Sequence, residues 1–232
     1  MANSVAIPQD IINNIIDAVG DDSRLLKICA LVSSSLLLPC RKHLFSKISL
    51  KLGLGGDPAC QRLHQLLVEH PVIQSFVKKI AINGDWGWHY KTVDPDLRLN
   101  RPSLIAILRL SFCCLESFSI NMVYPSVLDW NGCKSELKDA LLTIICSSTL
   151  KTLRLKRVSV PITLFHGIHL TKLELSSLSP NFFDGEQSRL LMPAASHTVI
   201  DQCVWDCYGP VDGTRFSYIC LFLTNLVHGR SH

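Results

Sequence analysis

The chain has 232 residues, 47% of them hydrophobic and 18% charged, a composition that fits a folded, rather apolar protein and excludes intrinsic disorder. Its formal charge of +4, from 23 Lys and Arg against 19 Asp and Glu, is small and dispersed and gives no argument for a nucleic-acid partner. No run reaches the roughly 18 apolar residues of a membrane span, and Asp10, Asp17, Asp21 and Asp22 interrupt the early apolar stretch, so the expectation is an intracellular protein with no signal sequence and no membrane partner.

The chain opens on apolar residues at helical spacing. Ile11, Ile12, Ile15, Ile16 and Val19 recur at three- and four-residue steps, so a helix beginning at Pro8 carries one broad apolar stripe, with Asp10 and Asp17 on the wet side. Pro8 suits a first helical turn because its missing N–H has no intrahelical partner to lose. Gly20 closes this helix and Asp21-Asp22 caps the next, whose Leu25, Leu26, Ile28, Cys29, Leu31 and Val32 are apolar on more than one side. A third helical segment runs from Leu36 to Leu44-Phe45, with a break or fresh start expected at Pro39. At roughly 1.5 to 3 kcal/mol per fully buried aliphatic side chain, the first stripe alone represents on the order of 7 to 15 kcal/mol. About forty residues cannot hide all of that apolar surface by themselves, so the segment asks for a neighbour.

The same residues carry a family resemblance. Ile7-Pro8-x-Asp10-Ile11 with Ile15-Ile16, Asp21-Asp22 ahead of Leu25-Leu26, Cys29-Ala30-Leu31-Val32-Ser33 and Arg41-Lys42-His43-Leu44-Phe45 together resemble an F-box, in the form abundant in fungal F-box proteins, over about residues 5 to 50. Leu36 stands where that family usually carries a bulky aromatic residue. The resemblance implies a three-helix module that docks its apolar face on a Skp-type adaptor and, through it, joins a cullin-RING (SCF) ubiquitin ligase. Carried onto this sequence, the adaptor-binding residues are Ile7, Pro8, Ile11, Ile12, Ile15, Ile16, Val19, Leu25, Leu26, Cys29, Val32, Leu36 and Phe45. On spacing alone, the competing reading is a helical subdomain whose stripes are ordinary core.

After Phe45, the alternation Ile48, Leu50, Leu52 predicts a short strand, and Gly53-Leu54-Gly55-Gly56-Asp57-Pro58 a turn or linker. A boundary placed there gives a helical module over 1–52, a repeat region over 53–185 and a cap or poorly ordered end over 186–232. The repeat is the phrase apolar-x-x-apolar-x-apolar, at Val77-Lys78-Lys79-Ile80-Ala81-Ile82, Leu115 to Ile120, Leu150 to Leu155 and Leu170 to Leu175, the first two followed by Asn83 and Asn121. Helix candidates precede the first three, over Ala59 to Glu69, Pro102 to Phe112 and Glu136 to Ser147; Val160 to Ile168 is too short for more than a turn or two. This alternation resembles irregular leucine-rich repeats over about residues 60 to 185. The expected fold class is mixed α/β: the F-box-type module, then a short irregular solenoid of parallel strands with flanking helices, because a single strand-helix unit cannot bury its apolar face alone.

Where Leu153 and Leu155 point inward, Thr152, Arg154 and Lys156 must point to the open face of the sheet, with Lys79 and Ala81, Ser117 and Ser119, and Lys172 and Glu174 on neighbouring rungs. Lys79, Ser119, Arg154, Lys156, Lys172 and Glu174 are the candidate target-binding residues, since solenoids hold partners on this face. The alternative is a solvated face on which Arg154 and Glu174 pair across strands for at most about 1 kcal/mol. Trp86 and Trp88, in the loop after the first repeat, offer either a partner anchor or a cover for the end of the core.

Ten cysteines in a chain without a secretory signal read as reduced. Cys29, Cys60, Cys113, Cys146 and Cys220 lie among Leu and Ile, where cysteine acts as a small hydrophobe, and Cys113-Cys114 reads as one buried and one half-exposed residue. The pairs Cys203/Cys207 and His166/His169 lie too far apart for a zinc signature, so neither metal nor cofactor is expected. The chain contains no Gly-x-Ser-x-Gly, no phosphate-binding glycine loop and no dinucleotide fingerprint. The expected role is that of a non-enzymatic receptor joining adaptor and target, with a leucine-rich scaffold lacking any ligase connection as the alternative and a cysteine-dependent hydrolase as a third reading.

Overall fold

Residues 9–44 form three helices whose ends are set by local chemistry. The computed structural model describes residues 7–52, 58–84, 100–123, 127–165, 168–176 and 199–206. Helix α1 (Gln9–Val19) stops at Gly20, which adopts φ 64 and donates its N–H to the carbonyls of Ile16 and Asp17. The Asp22 carboxylate accepts from the N–H groups of Arg24 and Leu25, both at 3.0 Å, and starts α2 (Ser23–Val32). Ser33 caps α3 (Ser34–Leu44) in the same way. The break expected at Pro39 does not occur, and α3 runs through it. Proline removes one backbone bond at a cost of about 3 kcal/mol, and here Pro39 and Cys40 are buried where α3 packs on both α1 and α2.

That packing makes a small core of Ile16, Leu26 and Cys40, with Val19, Cys29, Ala30, Leu36 and Leu44 around it. A second and much larger core begins at Ile48 and runs to Leu175. The strand expected to close the first module belongs instead to this second core. Strand β1 (Lys47–Lys51) pairs in parallel with β2 (Lys79–Gly84), Ile48 against Ile80 and Leu50 against Ile82, and Leu52 is fully buried beside them. Phe45 also packs on the sheet core rather than on the helices. The division between the two cores therefore falls near Ser46, whose carbonyl accepts from the N–H groups of Lys78 and Lys79, and not at the glycine-rich stretch after residue 52.

The remaining strands are β3 (Ser117–Met122), β4 (Leu128–Asp129), β5 (Thr152–Lys156), β6 (Val158–Ser159), β7 (His169–Ser176) and β8 (Val199–Asp206). Four of them join β1 and β2 in one parallel sheet in the order β1-β2-β3-β5-β7-β8, and β4 pairs with β6 in a second, two-stranded sheet. Parallel neighbours need crossovers. Helices α4 (Pro58–Glu69) with the short α5 (Pro71–Gln74), α6 (Pro102–Leu108) and α7 (Ser135–Ile145) supply them, and α6 packs between α4 and α7. Only a 3-10 turn, Ile162–Phe165, lies between β6 and β7, as the short spacing there predicts. Helix α6 ends four residues earlier than expected, because the chain turns after Arg109 to bring Phe112 and Leu115 into the core.

The sheet buries one face, through Ile80 and Ile82, Phe118 and Ile120, Leu153 and Leu155, and Leu173 and Leu175, all but Ile120 at 1% exposure or less. Register makes these residues two continuous rows across the strands. It also shows that the repeat extends further than the four phrases read from the sequence. Phe45-Ser46-Lys47-Ile48-Ser49-Leu50 is the same phrase on β1, and Ile200-Asp201-Gln202-Cys203-Val204-Trp205 aligns with Leu170 to Leu175 on β8. Phenylalanine, cysteine and tryptophan stand for leucine in these outer units. The region from 186 onward, expected to be a cap or a poorly ordered end, thus contributes a sixth parallel strand; its other residues lie outside those described.

Candidate interaction surfaces

Two surfaces are left open by these cores. The first is the outside of the helical module. Ile12 and Ile16 turn inward, Ile16 to 1% exposure, whereas Ile11 and Ile15 remain 50% and 51% exposed and continue a line begun by exposed Ile7. On α2, Leu26 is buried while Leu25, Ile28, Leu31 and Val32 are exposed, Leu31 at 87%. Leu38 on α3 is exposed as well. Of the thirteen residues expected to bind an adaptor, Ile7, Pro8, Ile11, Ile15, Leu25 and Val32 are therefore accessible. Ile12, Ile16 and Leu26 are core, and Val19, Cys29 and Leu36 flank it. Ile12, Ile16 and Leu26 thus occupy a supporting position, because a three-helix module must spend one stripe on itself, while Val19, Cys29, Leu36 and Phe45 are half-buried. Ile28, Leu31 and Leu38 are the accessible residues missing from the expected set; the helical spacing of Ile28 and Leu31 from Leu25 and Val32 was the available signal for the first two.

Two contacts tie this module down. His43 Nε2 and Asp17 Oδ1 lie 2.7 Å apart, linking α3 to α1. Lys47, at the start of β1, pairs with Asp21 in the turn after α1. The hydrogen bond and charge of Lys47 hold the Asp21 carboxyl below its usual range.

The second surface is the open face of the sheet, a trough of about 640 Å³ floored by β1, β2, β3, β5 and β7. Parallel register lays its side chains in rungs. One rung runs Lys47, Lys79, Ser117, Thr152, Lys172, and the next runs Ser49, Ala81, Ser119, Arg154, Glu174. Below them, Glu116 accepts a hydrogen bond from Lys151 Nζ at 3.0 Å. Glu174 pairs with both Arg154 and Lys172, the latter at 2.7 Å. The hydrogen bond from Arg154, helped by one from Lys172 and by both charges, holds the Glu174 carboxyl down at about 2 against the opposing effect of its partial burial. Glu116 is likewise held low, first by Lys151, with the charges of Lys78 and Lys79 adding to it.

The expected target-binding residues are thus brought together in large part: Lys79, Ser119, Arg154, Lys172 and Glu174 all line this trough. Lys156 sits one rung further along, in register with Asn121. There Asn121 Nδ2 donates to Asn83 Oδ1 at 3.1 Å and Asn83 Nδ2 donates to Ser49 Oγ at 2.9 Å, a short amide ladder along the rim. Trp86 and Trp88 lie outside the described residues. Sequence reasoning missed Lys47, Ser49, Glu116 and Lys151, which line the trough because β1 is part of the sheet and because the residues just before β3 and β5 face the same way.

The cysteines need two corrections. Cys113 and Cys114 are both exposed, with their sulfurs 3.9 Å apart in a turn between buried Phe112 and Leu115, and Cys146 is exposed at the end of α7. A leucine-rich neighbourhood in sequence does not bury a residue that falls on the outside of a turn. Cys40, Cys60 and Cys133 are buried, and burial pushes the Cys40 thiol up. Cys207, Cys220 and His166 lie outside the described residues. No described helix is long and apolar enough to cross a membrane. The chain matches no protein-family model, no curated protein and no solved structure at a significant level.

Proposed function

We propose that this chain is the substrate receptor of an SCF-type cullin-RING ubiquitin ligase, holding a Skp-type adaptor on the outer face of its F-box-like helices and a target protein on its leucine-rich-repeat-like sheet. The observation that carries the reading is the set of apolar side chains that neither core uses: Ile7 just ahead of α1, Ile11 and Ile15 on it, and Leu25, Ile28, Leu31 and Val32 on α2. Contiguous apolar surface of this kind on a small module marks a protein-binding site. The alternative is a leucine-rich interaction scaffold with no ligase connection; the exposure of these residues favours the receptor reading.

In this role the chain supplies position rather than chemistry. Ubiquitin transfer would take place on other subunits, and the receptor would raise the effective concentration of a target lysine near the activated ubiquitin. Co-purification with a Skp-type adaptor tests the proposal. The wild-type chain is expected to capture the adaptor, and the double variant Ile11→Lys, Ile15→Lys to lose it while keeping the wild-type melting curve. Capture that survives both lysines would remove the basis of the reading.

A further inference from the structure

We infer that the open face of the sheet binds a carboxylate-rich segment of a target protein, laid across the strands so that Lys79, on β2 beside the ion pairs at Glu116 and Glu174, receives its charge. The inference rests on the open face being the target surface and is independent of what the helical module binds. Charge accounting leads to it. Five cations line the trough against two carboxylates. Glu174 is shared by Arg154 and Lys172, so one positive charge there is left over. Lys151 is matched by Glu116, and Lys47 by Asp21, which is not among the trough-lining residues. Lys79 has no ion-pair partner among the described residues, and exposed Lys78 stands beside it.

The arrangement also says which anion fits. Ser117 and Thr152 lie in register between Lys79 and Lys172, placing hydroxyl donors between cations about 14 Å apart across three strand spacings. That span matches several residues of extended chain at about 3.3 Å each. A sheet face covers a ligand from one side only, whereas a small molecule needs most of its surface enclosed, so a chain that gathers weak contacts from several rungs is the better occupant. Nucleic acid is disfavoured, because a backbone carrying a charge at every phosphate would run over Glu116 and Glu174. A bilayer is disfavoured because its flat surface does not reach the floor of a trough.

The test is fluorescence anisotropy of the full chain with a labelled peptide rich in Asp and Glu, its Asn/Gln counterpart, a serine peptide with and without phosphate, a single-stranded RNA oligonucleotide, and vesicles of phosphatidylcholine with phosphatidylserine. The acidic peptide is expected to bind and its amide counterpart to fail. Affinity should fall as salt rises, since screening shortens the reach of exposed charges. Lys79→Glu is expected to weaken binding about tenfold, because an attractive contact is replaced by a like-charge one, and Lys79→Gln to weaken it by less. Lys79 is exposed, so unchanged melting curves for both variants separate lost binding from lost fold. RNA or vesicles binding as well as the acidic peptide, binding that appears only with serine phosphate, or indifference to Lys79→Glu would each overturn the inference. A chain that captures the Skp-type adaptor yet ignores the acidic peptide overturns this inference alone, whereas failure of adaptor capture with peptide binding intact overturns only the ligase reading.

Discussion

Glu174→Gln isolates the ion pairs on the β5–β7 side of the trough. In the wild type the Glu174 carboxyl is held at about 2 against an ordinary 4.5, chiefly by the hydrogen bond from Arg154. At about 1.4 kcal/mol per tenfold change in proton affinity, that corresponds to on the order of 3 kcal/mol at neutral pH. The Arg154 side chain is 51% exposed, so solvent screening cuts the figure to about 1 to 2 kcal/mol. Because the folded-state value is depressed, the contribution is fully present above about 4.5, declines as pH falls, and is gone below about 2. Urea denaturation of wild type and variant at a series of pH values provides the assay, with the wild type expected to be more stable by that amount at pH 7. The gap should close through the acid window, while the acid sensitivity due to Glu116 and Asp21 cancels in the difference. A gap that is absent at pH 7, or that stays constant down to about pH 2, would refute the electrostatic account of this face.

Other outcomes follow from burial and backbone geometry. Ile16→Ala should destabilise the helical module by about 2 to 4 kcal/mol, since Ile16 is in its core, whereas Ile15→Ala, one residue away and exposed, should leave thermal unfolding within about 0.5 kcal/mol of wild type. Equal effects in a melting experiment would mean that α1 is rotated from the orientation described. Arg157 adopts φ 56 between β5 and β6. Arg157→Asn, which tolerates that conformation, should be more stable than Arg157→Val by about 1 to 2 kcal/mol in chemical denaturation; parity would show that the backbone there relaxes freely. A thiol-reactive probe read by peptide mapping should modify Cys113, Cys114 and Cys146 in the native protein and reach Cys40, Cys60 and Cys133 only after denaturation. The hydrogen bond shared with Cys113 raises the Cys114 thiol, so labelling of Cys114 should accelerate at alkaline pH.

Much of this architecture could be read from residue spacing, and the failures have identifiable causes. The three N-terminal helices follow from the isoleucine and leucine steps and from Gly20 and Asp22, all of which act within one turn of chain. The rungs of the open face follow from the period of two, which together with the aligned phrases sets Arg154 beside Glu174. Pro39 misled because its local cost is outweighed by packing against two other helices. The first strand was expected from Ile48, Leu50 and Leu52 but assigned to the helical module, because adjacency in sequence does not show which strand it pairs with, and the last was missed because Ile200, Cys203 and Trp205 are a weak apolar phrase on their own. Cys113 and Cys114 misled because neighbours in sequence are not neighbours in space.

By itself the sequence determined periodicity: where helices and strands run, which residues share a face, and that the N-terminal stripe is wider than one small module needs. Tertiary structure decided which of two equally apolar stripes goes inside, burying Ile12 and Ile16 and leaving Ile11 and Ile15 in water, and it assigned β1 to the sheet. The physical reason is that periodicity is a property of one segment, whereas burial depends on which other segment arrives to cover it. The trough exists for the same reason: its cations come from separate stretches of chain that only the parallel register sets side by side.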